Sequence, residues 1–251
     1  MNQSGIIIQA RTGSTRLPNK MLLPFYKGLG IFENLLKRLG ESSISIPIII
    51  ATTNRESDNE LVEISKKYGF NYFRGDEDNV LERFIGAAEY FKINNIIRLC
   101  ADNPLIDIEA IEHQLNTVNN DVDYYCYSTK DKKPTIKTGY GFWTEMVTLN
   151  ALKKIASRTN EKIYLEHVTN YIYLHVEDFN IQYKEIDSKI EEISGMRLTV
   201  DTAADFKLLK DIYDTLISKN IDFNALEITR LVAEYPEWLK IMRAETQKNI
   251  K

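Results

Sequence analysis

Short runs of β-branched residues alternate with longer stretches of helical period along the first half of the chain. Residues 5–9 read as a first buried strand. Ile31, Leu35, Leu36 and Leu39 follow at helical spacing up to Gly40, and residues 47–51 form a second buried run. Ser57-Asp58-Asn59-Glu60 has the form of a capping box and opens a helix carrying Leu61, Ile64 and Tyr68, closed by Gly69. Residues 71–74 read as a short edge strand. Val80, Leu81, Phe84, Ala87, Ala88 and Phe91 mark the next helix, and residues 95–100 the next buried strand. Asp107 caps a helix bearing Ile108, Ile111, Leu115 and Val118, and residues 124–128 follow as a strand. The alternation predicts an α/β fold: a mainly parallel sheet with helices on both faces.

The pattern loosens over residues 129–190, where 144–158 and 160–175 have helical character and 181–186 alternates like a strand. This stretch is expected to form a lid or substrate-side lobe within a single domain spanning 1–251. Residues 195–200 predict a return to a core strand, after which Thr202 caps a helix with Phe206, Leu209, Ile212 and Leu216 facing inward. Beyond Asn220 the chain reads as helical without obvious chemistry.

Composition narrows the function. The chain has 251 residues, 43% hydrophobic and 27% charged, which is ordinary for a globular protein. A net charge of -4 argues against a nucleic-acid partner. Its two cysteines, Cys100 and Cys126, sit in no paired-ligand spacing. No signal peptide and no apolar run of membrane-spanning length are apparent, so a cytoplasmic protein without a membrane partner is expected.

Positive charge is local. Immediately after the first strand, residues 10–20 (Ala-Arg-Thr-Gly-Ser-Thr-Arg-Leu-Pro-Asn-Lys) bring together Arg11, Arg16 and Lys20, the glycine Gly13 and the hydroxyls of Thr12, Ser14 and Thr15, with no carboxylate between them. Gly13 lets backbone N–H groups turn inward, and the cations offset phosphate charge, so the loop suits a polyphosphate. It lacks the Gly-Lys-Ser/Thr ending of a P-loop and the spaced glycines of a dinucleotide fingerprint. Asp121-Val122-Asp123 resembles a metal-binding acidic tripeptide, but it precedes its strand and reads as a turn.

Ligands of open parallel sheets bind outside the carboxyl ends of the strands. Residues 11–20, Asp102 and Asp201 all follow predicted strands and are therefore expected to share one edge. Two carboxylates with phosphate oxygens suit magnesium, placing Asp102 and Asp201 as metal ligands. Arg11, Arg16 and Lys20 would then hold the phosphates that leave as pyrophosphate, with an oxygen of a second substrate attacking the α-phosphorus. Each piece also has a plainer reading: Asp102 as turn chemistry before Asn103-Pro104, Asp201 as support for a helix start, Arg74 as a surface turn. Glu166-His167 is either substrate-side or simply exposed, and Tyr140-Gly141-Phe142 either lines an acceptor pocket or packs a corner. The chemistry also leaves open a glycosyltransferase consuming a nucleotide sugar, or a non-catalytic nucleotide-binding subunit.

Taken together, residues 8–20 resemble the signature loop of the spore-coat-polysaccharide type cytidylyltransferases, relatives of the CMP-sialate and CMP-KDO synthetases. The likeness continues through 51–53, 73–81, 101–107, 166–169 and 197–202. It implies a nucleotide-diphospho-sugar transferase-like fold and CTP-dependent activation of a sugar acid or similar small molecule for surface polysaccharide. It also implies magnesium at Asp102 and Asp201, and catalytic roles for Arg11, Lys20 and Asp102. Nucleotide contacts are implied for Ala10, Arg11, Gly13, Ser14, Arg16, Lys20, Arg74 and Asp102. On the substrate side the residues are Tyr140, Glu166, His167 and Arg197, and the assembly expected is a homodimer. The chain departs from the CMP-sialate branch at Met21, where that branch carries Asn, and from both better-known branches at Cys100, where they carry Gln.

Overall fold

A computed structural model describes residues 3–119 and 121–249. Seven strands form one sheet: β1 (Ser4–Gln9), β2 (Ile48–Thr53), β3 (Asn71–Gly75), β4 (Asn95–Cys100), β5 (Tyr124–Ser128), β6 (Glu145–Thr148) and β7 (Ile181–Glu185). Their order is β3-β2-β1-β4-β6-β5-β7. The first four are mutually parallel, β6 runs antiparallel between β4 and β5, and β7 pairs parallel with β5. The expected α/β architecture is therefore present, mostly parallel with one reversed strand. Gln9 lies level with Ala51 on one side and Cys100 on the other, so the chain leaves β1, β2 and β4 at a common edge. The strand order switches direction at β1 and β4, where parallel sheets open a crevice for ligands.

Alternation along β1 divides the core between the two faces. Ile6 and Ile8 pack with Leu35 and Leu36 of α1 (Ile31–Gly40), while Ile7 packs with Phe84 and Ala87 of the helix at Val80–Tyr90. That helix is α3, with α2 (Asn59–Lys67) before it and α4 (Ile108–Thr117) after β4. Five further helices matter for the second half: α5 (Leu149–Arg158), α6 (Lys162–Glu166), α7 (Asn170–Leu174), α8 (Ser188–Glu191) and α9 (Ala203–Ser218). Then α10 (Ala225–Ala233) and α11 (Pro236–Asn249) complete the chain. Thr202 begins α9 with a reciprocal capping box to Asp205, and Asp107 accepts from Ala110 N–H at the start of α4, as predicted.

Four local predictions fail, each for a physical reason. The capping box of residues 57–60 does not form: Asp58 precedes α2 without a side-chain cap, because its carboxylate is taken by Thr12 and Thr53. The helical reading of 144–158 holds only from Leu149, because residues 145–148 pair as β6 and Thr148 then caps α5 through Ala151 N–H at 3.1 Å. The segment 160–175 is two short helices, broken where Val168 and Thr169 turn inward and are buried. Residues 195–200 are not a strand. Their backbone is held by loops: Leu198 N–H donates to Gly139 O at 2.6 Å and Val200 N–H to Asp102 O at 3.2 Å.

Candidate active site

Beyond the carboxyl ends of β1 and β4 lies a cavity of about 780 Å³. One side is the β1 loop, the other the segments from β4, α6–α7 and the connector before α9. Within the loop, Asn19 takes φ +56°, a left-handed conformation that asparagine tolerates, and the chain doubles back there. The reversal brings Asn19 N–H to Thr12 O at 3.2 Å and turns Lys20 into the cavity. Gly13 faces Glu77: a Cβ there would stand 3.3 Å from Glu77 Oε1.

Charged side chains meet across the cavity in pairs. Lys20 Nζ, with its side chain 9% exposed, donates to Asp102 Oδ2 at 2.9 Å and Val200 O at 2.5 Å, and lies 3.8 Å from Asp201 Oδ1. Arg16 donates to Asp201 Oδ1 at 2.7 Å, and Arg197 to Asp201 Oδ2 at 2.7 Å and to both oxygens of Asp205 at 3.0 Å. Arg11 donates to Glu166 Oε1 at 3.3 Å. Asp102 and Asp201, 82 and 181 positions beyond Lys20, thus converge on one ammonium group, although the strand expected to deliver Asp201 does not exist. The connector hydrogen bonds at Leu198 and Val200 deliver it instead.

Burial would push Asp205 up, but hydrogen bonds and charge from Arg197, with backbone donors from Thr202 and Asp201, hold it below the usual carboxylate range. Arg197 lies above its ordinary value because those two aspartates outweigh its own burial. Arg83 is buried beside this region; burial, then the charge of Arg11, lowers its guanidinium to about 10.

Of the residues singled out from sequence, Arg11, Gly13, Ser14, Arg16, Lys20, Asp102, Glu166, His167, Arg197 and Asp201 line the cavity. Three do not. Ala10 is buried at the end of β1, its N–H donating to Ala51 O at 3.2 Å. Arg74 is a strap between loops, donating to Thr53 O, Asn59 Oδ1 and Arg55 O at 2.6–2.8 Å, and its guanidinium does not reach the wall. Tyr140 packs edge-on against Trp143, and the neighbouring Gly141 and Trp143 take its place on the wall. Gly141 is required there: at φ +68° it also passes so close to Leu198 O that a Cβ would stand at 2.8 Å.

Cys100 and Met21, where the chain departs from better-known branches, also line the cavity, while sequence reasoning missed the rest of the floor of the far side, formed by Gln9, Arg98, Thr169 and Tyr173. Arg98 donates to Glu145 Oε2 at 2.7 Å; Glu145 also accepts from Thr169 Oγ1 at 3.1–3.2 Å and from the Tyr124 hydroxyl. Both charges are buried. The available signal was a charge placed inside each of two otherwise apolar strands, β4 and β6, since a buried charge needs a partner. Burial pushes the Cys100 thiol up to about 11, against a smaller downward pull from Arg98.

The arrangement can hold a polyanion on one side through Arg11, Arg16 and Lys20, and a small polar molecule on the other. Asp102 and Asp201 suit a hard cation: two carboxylates approach one point, at 30% and 24% side-chain exposure, and magnesium takes one or two carboxylates beside substrate phosphates. No group of three or more His, Cys, Asp or Glu that could hold a metal exists among the described residues.

Comparison with known proteins identifies relatives over most of the chain. The chain is 39% identical to the uncharacterized protein MJ1063 of Methanocaldococcus jannaschii over 220 residues, covering 88% of this chain and 87% of that protein. It is 33% identical to the spore coat polysaccharide biosynthesis protein SpsF of Bacillus subtilis over 242 residues, 94% of this chain and 97% of the relative. The structure of a cytidylyltransferase from Leptospira borgpetersenii superposes with a TM-score of 0.82 at 28% identity, covering 94% and 96% of the two chains. The cytidylyltransferase family model matches residues 5–231, nearly the whole fold and every wall of the cavity. The chain therefore belongs to the cytidylyltransferase family and is a nucleotidyltransferase.

Proposed function

We propose that this enzyme transfers the cytidylyl group of CTP to a sugar acid or similar small molecule, releasing pyrophosphate, for assembly of a surface polysaccharide. The observation that carries the reading is the convergence of Lys20, Asp102 and Asp201 at the mouth of the cationic β1 loop. The polysaccharide role is supported by the likeness to SpsF.

In the reaction an acceptor oxygen forms a bond to the α-phosphorus, the bond from that phosphorus to the bridging oxygen breaks, and the leaving pyrophosphate takes the electron pair. The acceptor proton passes to solvent or to a carboxylate. Arg11, Arg16 and Lys20 can exchange their present carboxylates for phosphate oxygens, because each of those pairs faces the cavity. Such charge-assisted contacts strengthen as charge accumulates on the leaving group. Asp102 and Asp201 would hold magnesium, which when bound supplies positive charge at the phosphates. On the acceptor side, Glu166 and His167 line the cavity with Gln9, Arg98 and Thr169, offering donors and acceptors to a hydroxylated molecule.

The same reading includes a homodimer. Ile163 of α6, Leu174 at the end of α7 and Val176 just beyond it are each half exposed, apolar surface that a second copy could cover. Light scattering at micromolar concentration should give twice the monomer mass of 29.1 kDa. Among the described residues no helix is long and apolar enough to cross a membrane.

Incubation with CTP, magnesium and a panel of sugar acids should release pyrophosphate and form a CMP-linked product. Release from a UDP- or GDP-sugar instead, with a nucleoside diphosphate as product, would replace this reading with glycosyl transfer.

A further inference from the structure

Asp58 opens α2, inside the stretch 57–60 that reads as a capping box, yet its side chain makes no cap hydrogen bond. It turns into the β1 loop. Thr12 N–H donates to its Oδ1 at 2.8 Å, Thr12 Oγ1 to the same oxygen at 2.6 Å, and Thr53 Oγ1 to Oδ2. Asp58 is 1% exposed and Thr12 3%. A carboxylate that leaves its own helix end without a side-chain cap, while buried beneath a cationic loop, serves the loop.

Thr12 is also where the loop is organised. Its carbonyl accepts Ser14 N–H at 2.9 Å and Asn19 N–H at 3.2 Å, so the outgoing and returning arms both hang on one peptide group. Ser14 Oγ in turn accepts Leu17 N–H at 3.3 Å, and Lys20 N–H reaches Leu17 O at 3.3 Å. The backbone that carries Lys20 thus leads back to Thr12 through Leu17 and Ser14.

We propose that Asp58 is the positioning residue of the polyphosphate cradle: by gripping both polar groups of Thr12 it fixes residues 12–19 in the shape that presents Ser14, Arg16 and Lys20 to a nucleoside triphosphate. This rests on the reading of the loop as the phosphate site of CTP. Burial would raise the Asp58 carboxyl, but the donors from Thr12 and Thr53 outweigh it and hold the group below the usual carboxylate range, so it grips as an anion at neutral pH. Hydrogen bonds to a buried anion are among the stronger ones, which suits a loop that must not rearrange when phosphate arrives.

Calorimetric titration with two probes tests it: CTP with magnesium, and inorganic pyrophosphate, which reads the loop alone. Asp58→Ala should weaken both about 10–100-fold, the cost of a cradle displaced by around an ångström. Asp58→Asn keeps an oxygen for Thr12 and should recover part of the loss. Thr12→Val should weaken both probes too, and should add nothing in an Asp58→Ala background, because the carboxylate acts through that residue. Asn224→Ala, which removes the cap accepting Glu227 N–H at the distant start of α10, should lower thermal stability and leave both affinities unchanged.

Binding of both probes by Asp58→Ala within twofold of the wild type would overturn the proposal, as would multiplicative losses in the double variant. Should Asp58→Ala fail to fold, Thr12→Val and Asp58→Asn decide, and unchanged pyrophosphate affinity in both overturns it. Wild-type protein that binds pyrophosphate but not CTP would defeat the cytidylyl reading, while the variants still decide the role of Asp58. Wild-type protein that binds neither would defeat both.

Discussion

Glu145→Gln probes the buried network under the acceptor side of the cavity. Glu145 receives the Arg98 guanidinium at 2.7 Å, the Thr169 hydroxyl at 3.1–3.2 Å and the Tyr124 hydroxyl, all of them buried residues. An amide in its place keeps the shape, but turns an –NH2 group toward groups that all donate and leaves the Arg98 charge unbalanced. Breaking one partner out of a buried ion pair costs about 3–5 kcal/mol, and a chain of this length loses about 2 °C of Tm per kcal/mol. Tm should therefore fall by about 6–10 °C in a calorimetric scan. Arg98→Met alone should cost a similar amount by stranding the carboxylate. Joined with Glu145→Gln, it should recover about 2 kcal/mol or more, because no net charge is then left buried and the amide oxygen still accepts from a hydroxyl. Because Thr169 follows His167 by two residues, the single variants should also raise KM for the acceptor while leaving CTP affinity near wild type. Additive losses in the double variant, or single variants as stable as wild type, would refute the reasoning.

Lys20→Met should lower kcat/KM for CTP about 10²–10³-fold, the usual cost of deleting a donor aimed at developing charge, read by pyrophosphate release. Asp205 and Asp58 lie below the ordinary carboxylate range in the folded chain, so their stabilisation is complete above the unfolded value of about 3.9 and is lost as pH falls through their lower folded values. Urea titrations between pH 7 and pH 3 should show that acid loss, and Asp205→Asn should flatten it. With its thiol pushed up to about 11, Cys100 should resist iodoacetamide at pH 7.5 in the native state and react only as the solution approaches pH 10–11.

Much of this site was legible because two rules coincide. Parallel strands buried on both faces stand out as apolar runs, and residues just past their carboxyl ends share an edge. Residues 6–8 and 96–99 announced β1 and β4, and so placed Arg11, Lys20 and Asp102 together. Asp201 reached the same place by a different route: the apolar residues Met196, Leu198 and Val200 bury their side chains as a strand would, but the backbone bonds to loops, and alternation reports only the side chains. β6 was hidden because four residues are too few to show a period and because Glu145 put a charge where an apolar residue was expected. The same charge concealed its partner Arg98. The capping box read at 57–60 misled for a related reason, since polar residues at a helix start have the form of a cap even where, as with Asp58, the carboxylate serves a loop 46 residues away. Arg74, carried over from resemblance, straps backbone carbonyls of neighbouring loops instead of facing the cavity, a contact that no local pattern encodes.

The decisive measurement is calorimetric titration of CTP, with and without magnesium, into the wild-type chain and into Asp102→Asn/Asp201→Asn. If these two carboxylates and the β1 loop close around one metal-bound triphosphate, magnesium tightens binding to the wild type and has no effect on the double variant. Equal tightening by magnesium in both proteins would contradict that account.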